Sequence, residues 1–338
     1  MNSKPLHAID FSMLDLAPVR EGHSTAEALA GILTTARHVE SLGFARYWLA
    51  EHHNMPGIAS SATAVLIGHV AGGTQTIRVG AGGVMLPNHA PLTVAENFGT
   101  LAELFPGRID LGLGRAPGTD PVTTGALRRD RVESVEDFPR DVEQLQRLLE
   151  PPVPGQPLIA TPGAGTRVPI WLLGSSLFSA QLAAQRGLPY AFASHFAPAY
   201  LMRAIEVYRR GFRPSAQCPQ PRVMIGVPLI AAPTDEEAQY LASSVFQRVL
   251  GILHGRRGLL PPPRRDLAAS ITPRERAGID DFLACAVIGA PDTVRQGLQA
   301  LAGQTGCDEM IFTCDIYEPE LRLRALTIAA EIRNDNQS

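Results

Sequence analysis

The feature that most constrains this chain is an alternation kept up from end to end. Short apolar runs are each followed by a stretch with helical periodicity. The first run covers 8–13. After it, Ser24 and Glu27 stand at capping-box spacing. Leu29, Ile32, Leu33, Ala36 and Val39 then share one helical face, which Gly43 closes. Further strands are expected at 45–50, 77–85, 108–113, 169–173, 190–194, 222–231 and 308–314. Helices are expected at 60–72, from Pro91 through Leu104, and at 176–186, 198–210, 235–253, 291–302 and 318–332. The 235–253 helix opens with Thr234 and Glu237, again at capping-box spacing. Strands that alternate with helices pair in parallel through helical crossovers. Eight such units in 338 residues favour a closed barrel over an open doubly wound sheet. The expected fold class is therefore α/β: a (β/α)8 TIM barrel, one domain over residues 1–338, with extended loops after strands four and seven. Three stretches break the rhythm: 115–133, the Pro/Gly-rich 151–169, and the Arg- and Pro-rich 255–278. The last reads as a long surface loop.

Bulk properties exclude several function classes. Lys and Arg number 30 against 33 Asp and Glu, a net charge of −3, so no electrostatic grip on nucleic acid or an anionic membrane is expected. Cys218, Cys285, Cys307 and Cys314 form no C-x-x-C pair and no zinc spacing, which fits reduced thiols in a cytoplasmic protein. The first residues show no basic stretch followed by an apolar one, and no apolar run approaches the ~20 residues of a membrane span.

A barrel of this kind carries its site at the C-terminal strand ends. Small, hydrogen-bonding or titratable residues gather there. Strand two ends in Glu51-His52-His53-Asn54, and strand three in Gly80-Ala81-Gly82-Gly83 followed by Pro87-Asn88-His89. Strand four ends in Gly112-Leu113-Gly114-Arg115, strand five in Gly174-Ser175-Ser176 with Ser179 a turn later, and strand six in Ala193-Ser194-His195. The helix that begins at strand five offers free N–H groups and a partial positive charge, which suits a phosphate. Ser175, Ser176 and Ser179 would add hydroxyl donors, and Arg115 a guanidinium fork. The plainer alternative is a simple Ser176 N-cap beside a surface arginine. Glycines 80, 82 and 83 interrupt a strand and either give a flat ligand clearance or mark a barrel corner or bulge. In Glu51-His52-His53 adjacent side chains face opposite ways, so one histidine can meet the site while the other packs away from it. Gly112-Leu113-Gly114 begins like a dinucleotide fingerprint, but position 117 is Pro117, and no Walker lysine motif is present.

Four stretches carry a family resemblance: 47–53, 79–89, 106–120 and 170–176. Taken in order, they make the chain resemble the bacterial luciferase-like flavin monooxygenases, in their single-chain, non-luminescent branch, from about residue 9 to residue 332. The resemblance implies a (β/α)8 barrel that binds FMN at the strand ends and dimerises through barrel helices. It implies that residues matching Arg115, Ser176 and Ser179 hold the FMN phosphate, with Gly174 and Ser175 beside them. Glu51 would lie near the flavin, and His52 would serve the chemistry of a flavin peroxide. A non-prolyl cis peptide at Gly82-Gly83 would lie beneath the ring. Gly114 stands where luciferase itself has a cysteine, so reactivity of that thiol does not carry over.

The function expected on this basis is oxygenation of a small organic substrate by reduced FMN and dioxygen, through a flavin C4a-peroxide. A separate flavin reductase would supply the reduced FMN, and no metal would take part. His52 would donate or accept a proton with a neutral-range pKa. Three alternatives stay open: hydride transfer with a deazaflavin, flavin binding without turnover, and a metal-dependent barrel hydrolase using Glu51, His52, His53 and His89.

Overall fold

The structure is a computed structural model that describes residues 4–116, 120–127 and 137–335. Parts of the expected 115–133 loop, at 117–119 and 128–133, lie outside the described residues. Nine strands are assigned: β1 (Asp10–Asp15), β2 (Arg46–Leu49), β3 (Arg78–Met85), β4 (Ile109–Gly114), β5 (Ile170–Gly174), β6 (Tyr190–Phe192), β7 (Val223–Ala231), β8 (Val287–Gly289) and β9 (Glu309–Thr313). Eight of them close a ring in the order β1-β2-β3-β4-β5-β6-β7-β9, with β9 returning to β1 and every pairing parallel. These eight are the strands expected from sequence.

The helices are α1 (Thr25–Ser41), α2 (Thr63–Gly73), α3 (Pro91–Leu104), α4 (Pro121–Leu127), α5 (Phe138–Leu149), α6 (Leu177–Arg186), α7 (Leu201–Gly211), α8 (Asp235–Leu253), α9 (Leu267–Ser270), α10 (Pro273–Phe282), α11 (Pro291–Thr305) and α12 (Pro319–Asn334). The first capping box forms in full: Ser24 accepts from the Glu27 N–H, and the Glu27 carboxylate accepts from the Ser24 N–H. At α8 only half of the expected box forms, with Thr234 accepting from the Glu237 N–H. The Glu237 carboxylate is turned instead to Arg324.

Two expectations need correction. The 255–278 stretch is not all loop. It contains α9 and the start of α10, and α10 opens on a complete Thr272–Glu275 capping box. The second is the ninth strand. β7 pairs with β9 through residues 224–228, then continues past the ring and pairs with β8 through residues 229–231. Three residues of Val-Ile-Gly are too short a run to separate from a loop by periodicity.

The lower half of the barrel is filled in two layers. At the N-terminal ends of the strands, the buried Asp110 and Glu309 carboxylates are held by arginines. Arg78 Nη2 reaches Asp110 at 2.6 Å, and Arg46 Nε approaches Asp110 at 3.2 Å, off line for a hydrogen bond. Arg222 reaches Glu309 at 2.9 Å and Ser12 donates to it at 2.5 Å. Above this ionic layer lie Leu14, Trp48, Trp171, Met224 and Ile311, with the two indoles edge to face at 5.5 Å. The Trp48 indole N–H donates to Asp110 at 3.3 Å, tying the layers together. This apolar deck is the floor on which any ligand would rest. Elsewhere, all four cysteines are free and buried, and burial pushes Cys307 up to about 11. No helix of the described residues is long and apolar enough to cross a membrane.

Removing one partner of a buried ion pair strands the other charge. Asp110→Ala, which leaves Arg78 without its carboxylate and Arg46 with Glu309 alone, should cost about 3–5 kcal/mol in denaturant unfolding. Asp10→Ala, at the half-exposed partner of Arg222, should cost under about 1 kcal/mol. Equal midpoints for the two variants would rule out the ionic layer as a stabilising element.

Candidate cofactor and active site

One cavity opens at the C-terminal end of the barrel, with a volume of about 570 Å³, in the size range of cofactor and substrate sites. Its floor is the apolar deck. Gly82, Gly83, Arg115, Gly174, Ser175, Ser176, Ser179 and His52 all line it, so eight of the nine expected site residues meet at one place.

The β5 end is built for an anion. Ser176 is the N-cap residue of α6 by position, but its side chain makes no capping hydrogen bond. The plainer N-cap reading is therefore not what the geometry shows, and the first-turn N–H groups face the cavity uncapped by that hydroxyl. Ser179 is buried one turn on, its Oγ packed where a Cβ on Gly174 would stand, at 2.2 Å. A side chain at 174 would thus displace a hydroxyl from the site. Arg115 lies over the Phe178 ring at 4.2 Å and pairs with no carboxylate among the described residues. The stacking fixes the guanidinium plane without using its charge.

Of the two readings of the β3 glycines, ring clearance and a barrel corner or bulge, the second accounts for Gly80 and Gly83. A Cβ on Gly80 would meet the Asp110 carbonyl oxygen at 2.5 Å and the Trp48 indole nitrogen at 2.9 Å. One on Gly83 would meet the Gly112 carbonyl oxygen at 2.7 Å. Barrel packing explains these two, and Gly80 does not line the cavity. The register between β3 and β4 shifts between Ala81 and Val84, and the Gly82-Gly83 peptide within this bulge is cis. Gly114, also lining the cavity, lies beside Met85: a Cβ there would meet the Met85 sulfur at 3.0 Å.

Strand alternation separates the Glu51-His52-His53 triplet. His52 faces the cavity, while Glu51 is buried behind its wall and does not line it. Glu51, expected near the flavin, therefore stands one layer behind the cavity wall. Its Oε1 accepts from His53 at 2.9 Å and from His89 at 2.8 Å, and its Oε2 accepts from the Met85 N–H at 3.1 Å. Burial alone would raise the Glu51 pKa, but the His89 contact, then His53 and the Met85 N–H, hold it below the ordinary carboxylate value. Donor atoms of Glu51, His53 and His89 lie within 4.8 Å of one another, and this set leaves out His52. Hydrogen bonds already join its members, so the cluster clamps the β2 end to the β3 end.

His52 departs from the neutral-range titration expected of it. Burial first, then the Arg248 and Arg257 charges, push its pKa down to about 4 against the nearby Glu51 carboxylate. Its Nδ1 is buried without a hydrogen-bond partner. His195 lines the same cavity, also has an orphaned Nδ1, and is also pushed to about 4 by burial and by His52 and Arg248. Both imidazoles are therefore uncharged near pH 7. The sequence showed His195 at its strand end without marking it as a site residue. The available signal was Gly226 on β7, where a Cβ would meet His195 Nδ1 at 2.3 Å. Arg248 was also missed, although it is a charge set among the buried positions 245, 246 and 249 of α8. It pairs with Asp315 at 2.7 Å at the cavity wall.

The fold and the cavity at the C-terminal strand ends define a parallel α/β barrel with a pocket of cofactor or substrate size. The chain belongs to the luciferase-like monooxygenase family, which matches residues 9–309. An Escherichia coli strain K12 protein named luciferase-like monooxygenase is 47% identical to it, over 97% of this chain and 98% of that one. A Bacillus subtilis N-acetyl-S-alkylcysteine monooxygenase is 39% identical over 55% of this chain and 57% of its own. The crystal structure of apo-MsnO8 superposes with a TM-score of 0.90 at 37% identity, covering 96% of this chain and 98% of that one. Two more distant structures share the fold. The oxygenating constituent of 3,6-diketocamphane monooxygenase from Pseudomonas putida, in complex with FMN, covers 96% of this chain and 97% of that one (19% identity, TM-score 0.71). An F420-dependent secondary alcohol dehydrogenase covers 97% of this chain and 99% of that one (15% identity, TM-score 0.70). The family makes the protein an oxidoreductase.

The two lowered histidines have a pH signature. A group whose folded pKa lies below its unfolded value of 6.5 contributes stability fully above 6.5 and loses it as pH falls through about 4. Denaturant unfolding should therefore show stability falling between pH 6.5 and 4, by on the order of 2–3 kcal/mol for each histidine. His52→Gln should flatten part of that slope; an unchanged slope would refute the assignment.

Proposed function

We propose that the protein is an FMN-dependent monooxygenase. It receives reduced FMN from a separate flavin reductase and uses dioxygen to oxygenate a small organic substrate. The observation that carries this reading is the uncapped N-terminus of α6, with Ser179 and the unpaired Arg115 beside it, at one rim of a deep apolar-floored cavity.

The residues present fit FMN. The α6 N–H groups, Ser175, Ser176 and Ser179 would receive the phosphate with the Arg115 fork, and Gly174 lets Ser179 stand close. The ring would lie over Leu14 and Trp48, against the Gly82-Gly83 peptide. When bound, reduced FMN supplies the activation of dioxygen. The protein supplies position and dryness: Leu14, Trp48, Met224 and Ile311 keep water from the floor. His52, neutral in its buried setting, would hold or accept a proton at a ring nitrogen, since no described residue hydrogen-bonds its imidazole. Glu51 does not touch the ligand in this reading. Its bonds to His53, His89 and Met85 fix the backbone from which His52 projects. The name of the Bacillus subtilis relative puts N-acetyl-S-alkylcysteines first on a substrate panel. The same reading places the protein in the cytoplasm as a homodimer through barrel helices, where Val65 of α2 and Leu104 of α3 are exposed.

Calorimetry should show Ser176→Ala and Arg115→Ala each weakening FMN binding by about tenfold or more, the value of a charge-assisted hydrogen bond. Failure of the parent protein to bind FMN, or selective binding of F420, would overturn the reading. His52→Ala should keep FMN affinity and lower coupled oxygenation by on the order of 100-fold. Equal coupled turnover would remove His52 from the chemistry.

A further inference from the structure

The segment that leaves α8 crosses the cavity mouth and carries Arg256 and Arg257, both exposed on their outer side and both lining the cavity. It is pinned on the far side. Gly258 packs so closely on the loop after β2 that a Cβ on Gly57 would meet its carbonyl oxygen at 2.1 Å. The Leu260 N–H then donates to Val19 at 2.8 Å, and its carbonyl accepts from the Glu21 N–H at 2.9 Å. These anchors lie above the ends of β1 and β2. In the ring β1 stands four strands from β5 and β2 three, so the pinned end of this segment lies away from the start of α6.

The charges along the cavity do not balance. Its described lining holds Arg115, Arg248, Arg256 and Arg257 against a single carboxylate, Asp315, which Arg248 already pairs. Arg257 makes no hydrogen bond or ion pair with a described residue, and Arg256 reaches only His254 Nδ1, at 3.4 Å. Between these arginines and the floor the wall is apolar: Ile230, Val245, Val249, Phe282, Leu283 and Ile288. Two uncommitted guanidinium groups above an apolar wall match an amphiphilic monoanion. Its anionic head would be held at the rim, with the carbon body extending inward toward His52. Arg257 is near enough to His52 for its charge to be felt there.

We propose that Arg256 and Arg257 form a substrate-head subsite, which selects small organic carboxylates with an apolar body. The assignment to substrate, as opposed to cofactor, rests on the FMN reading, which places the phosphate at the start of α6.

Octanoate and octanamide, equal in length and different in charge, separate this from simple apolar binding. Each is titrated calorimetrically into protein with and without saturating FMN. Octanoate should bind at least about tenfold more tightly than octanamide, with the preference falling as salt rises. The Arg256→Ala, Arg257→Ala double variant should lose that preference, and Arg257→Lys should keep most of it. FMN affinity should be unchanged in all of them. Both positions are exposed, so the substitutions do not threaten the core. The subsite is overturned if octanoate fails to bind the parent, if no preference is seen, or if the preference survives in the double variant. A drop in FMN affinity in the double variant overturns it as well, by making the arginines a cofactor site. If the parent binds no FMN while the charge preference behaves as described, the flavin reading fails and the anion subsite stands.

Discussion

A parallel barrel must fill its own interior, and here the lower half is filled by charge under aromatic rings. Asp110 and Glu309 could not remain buried as lone carboxylates. Arg46, Arg78 and Arg222 neutralise them, and the Trp48 N–H ties the ion layer to the indoles above. Desolvated pairs of this kind add little net stability over an apolar filling, but leaving one member unmatched is costly. The layer therefore acts as an all-or-nothing plug. Because it is solid, the ligand space is confined to the part of the barrel above Trp48 and Trp171.

Above that plug the structure leaves polar groups without partners where most proteins would satisfy them. The Nδ1 atoms of His52 and His195 are orphaned, and the serine that begins α6 does not cap it. Arg115, Arg256 and Arg257 lack acidic partners among the described residues. The residues that carry these groups all line one cavity, which supports reading Ser176 and the three arginines as partners for a ligand, while the orphaned Nδ1 atoms themselves are turned into the wall. Behind the wall the opposite holds. Glu51 is fully engaged by His53, His89 and Met85, as a positioning group should be.

Much of this was legible in the sequence because periodicity reports burial. The eight barrel strands, the helices flanking most of them and the convergence of small polar residues at the strand ends all follow from alternation and cap residues. What escaped was decided by contacts distant in sequence. β8 forms because β7 runs on past the ring and offers it an edge. α5 was passed over although Val142, Leu145 and Leu149 share its buried face, because it follows the irregular stretch after β4. The Thr272–Glu275 box inside a Pro- and Arg-rich stretch was hidden by its composition. Gly80 and Gly83 were visible as oddities, but sequence could not tell ring clearance from the Asp110 and Gly112 carbonyls that crowd them. The lowered pKa of His52 depends first on burial and then on the Arg248 and Arg257 charges, roughly two hundred positions away in the chain.

The change of partner by β7 has a consequence for how such a protein can diversify. The strand contributes residues 224–228 to the ring and 229–231 to an annex built on β8. The segment between the end of α8 and β8 is held by that annex and by the loops after β1 and β2, and it supplies no strand to the barrel itself. Length and chemistry in this overhang can drift while the hydrogen-bonded cylinder beneath keeps its register. The molecule thus separates a hydrogen-bonded chassis from a canopy above it, and the proposed cofactor and substrate-head sites would divide along the same line.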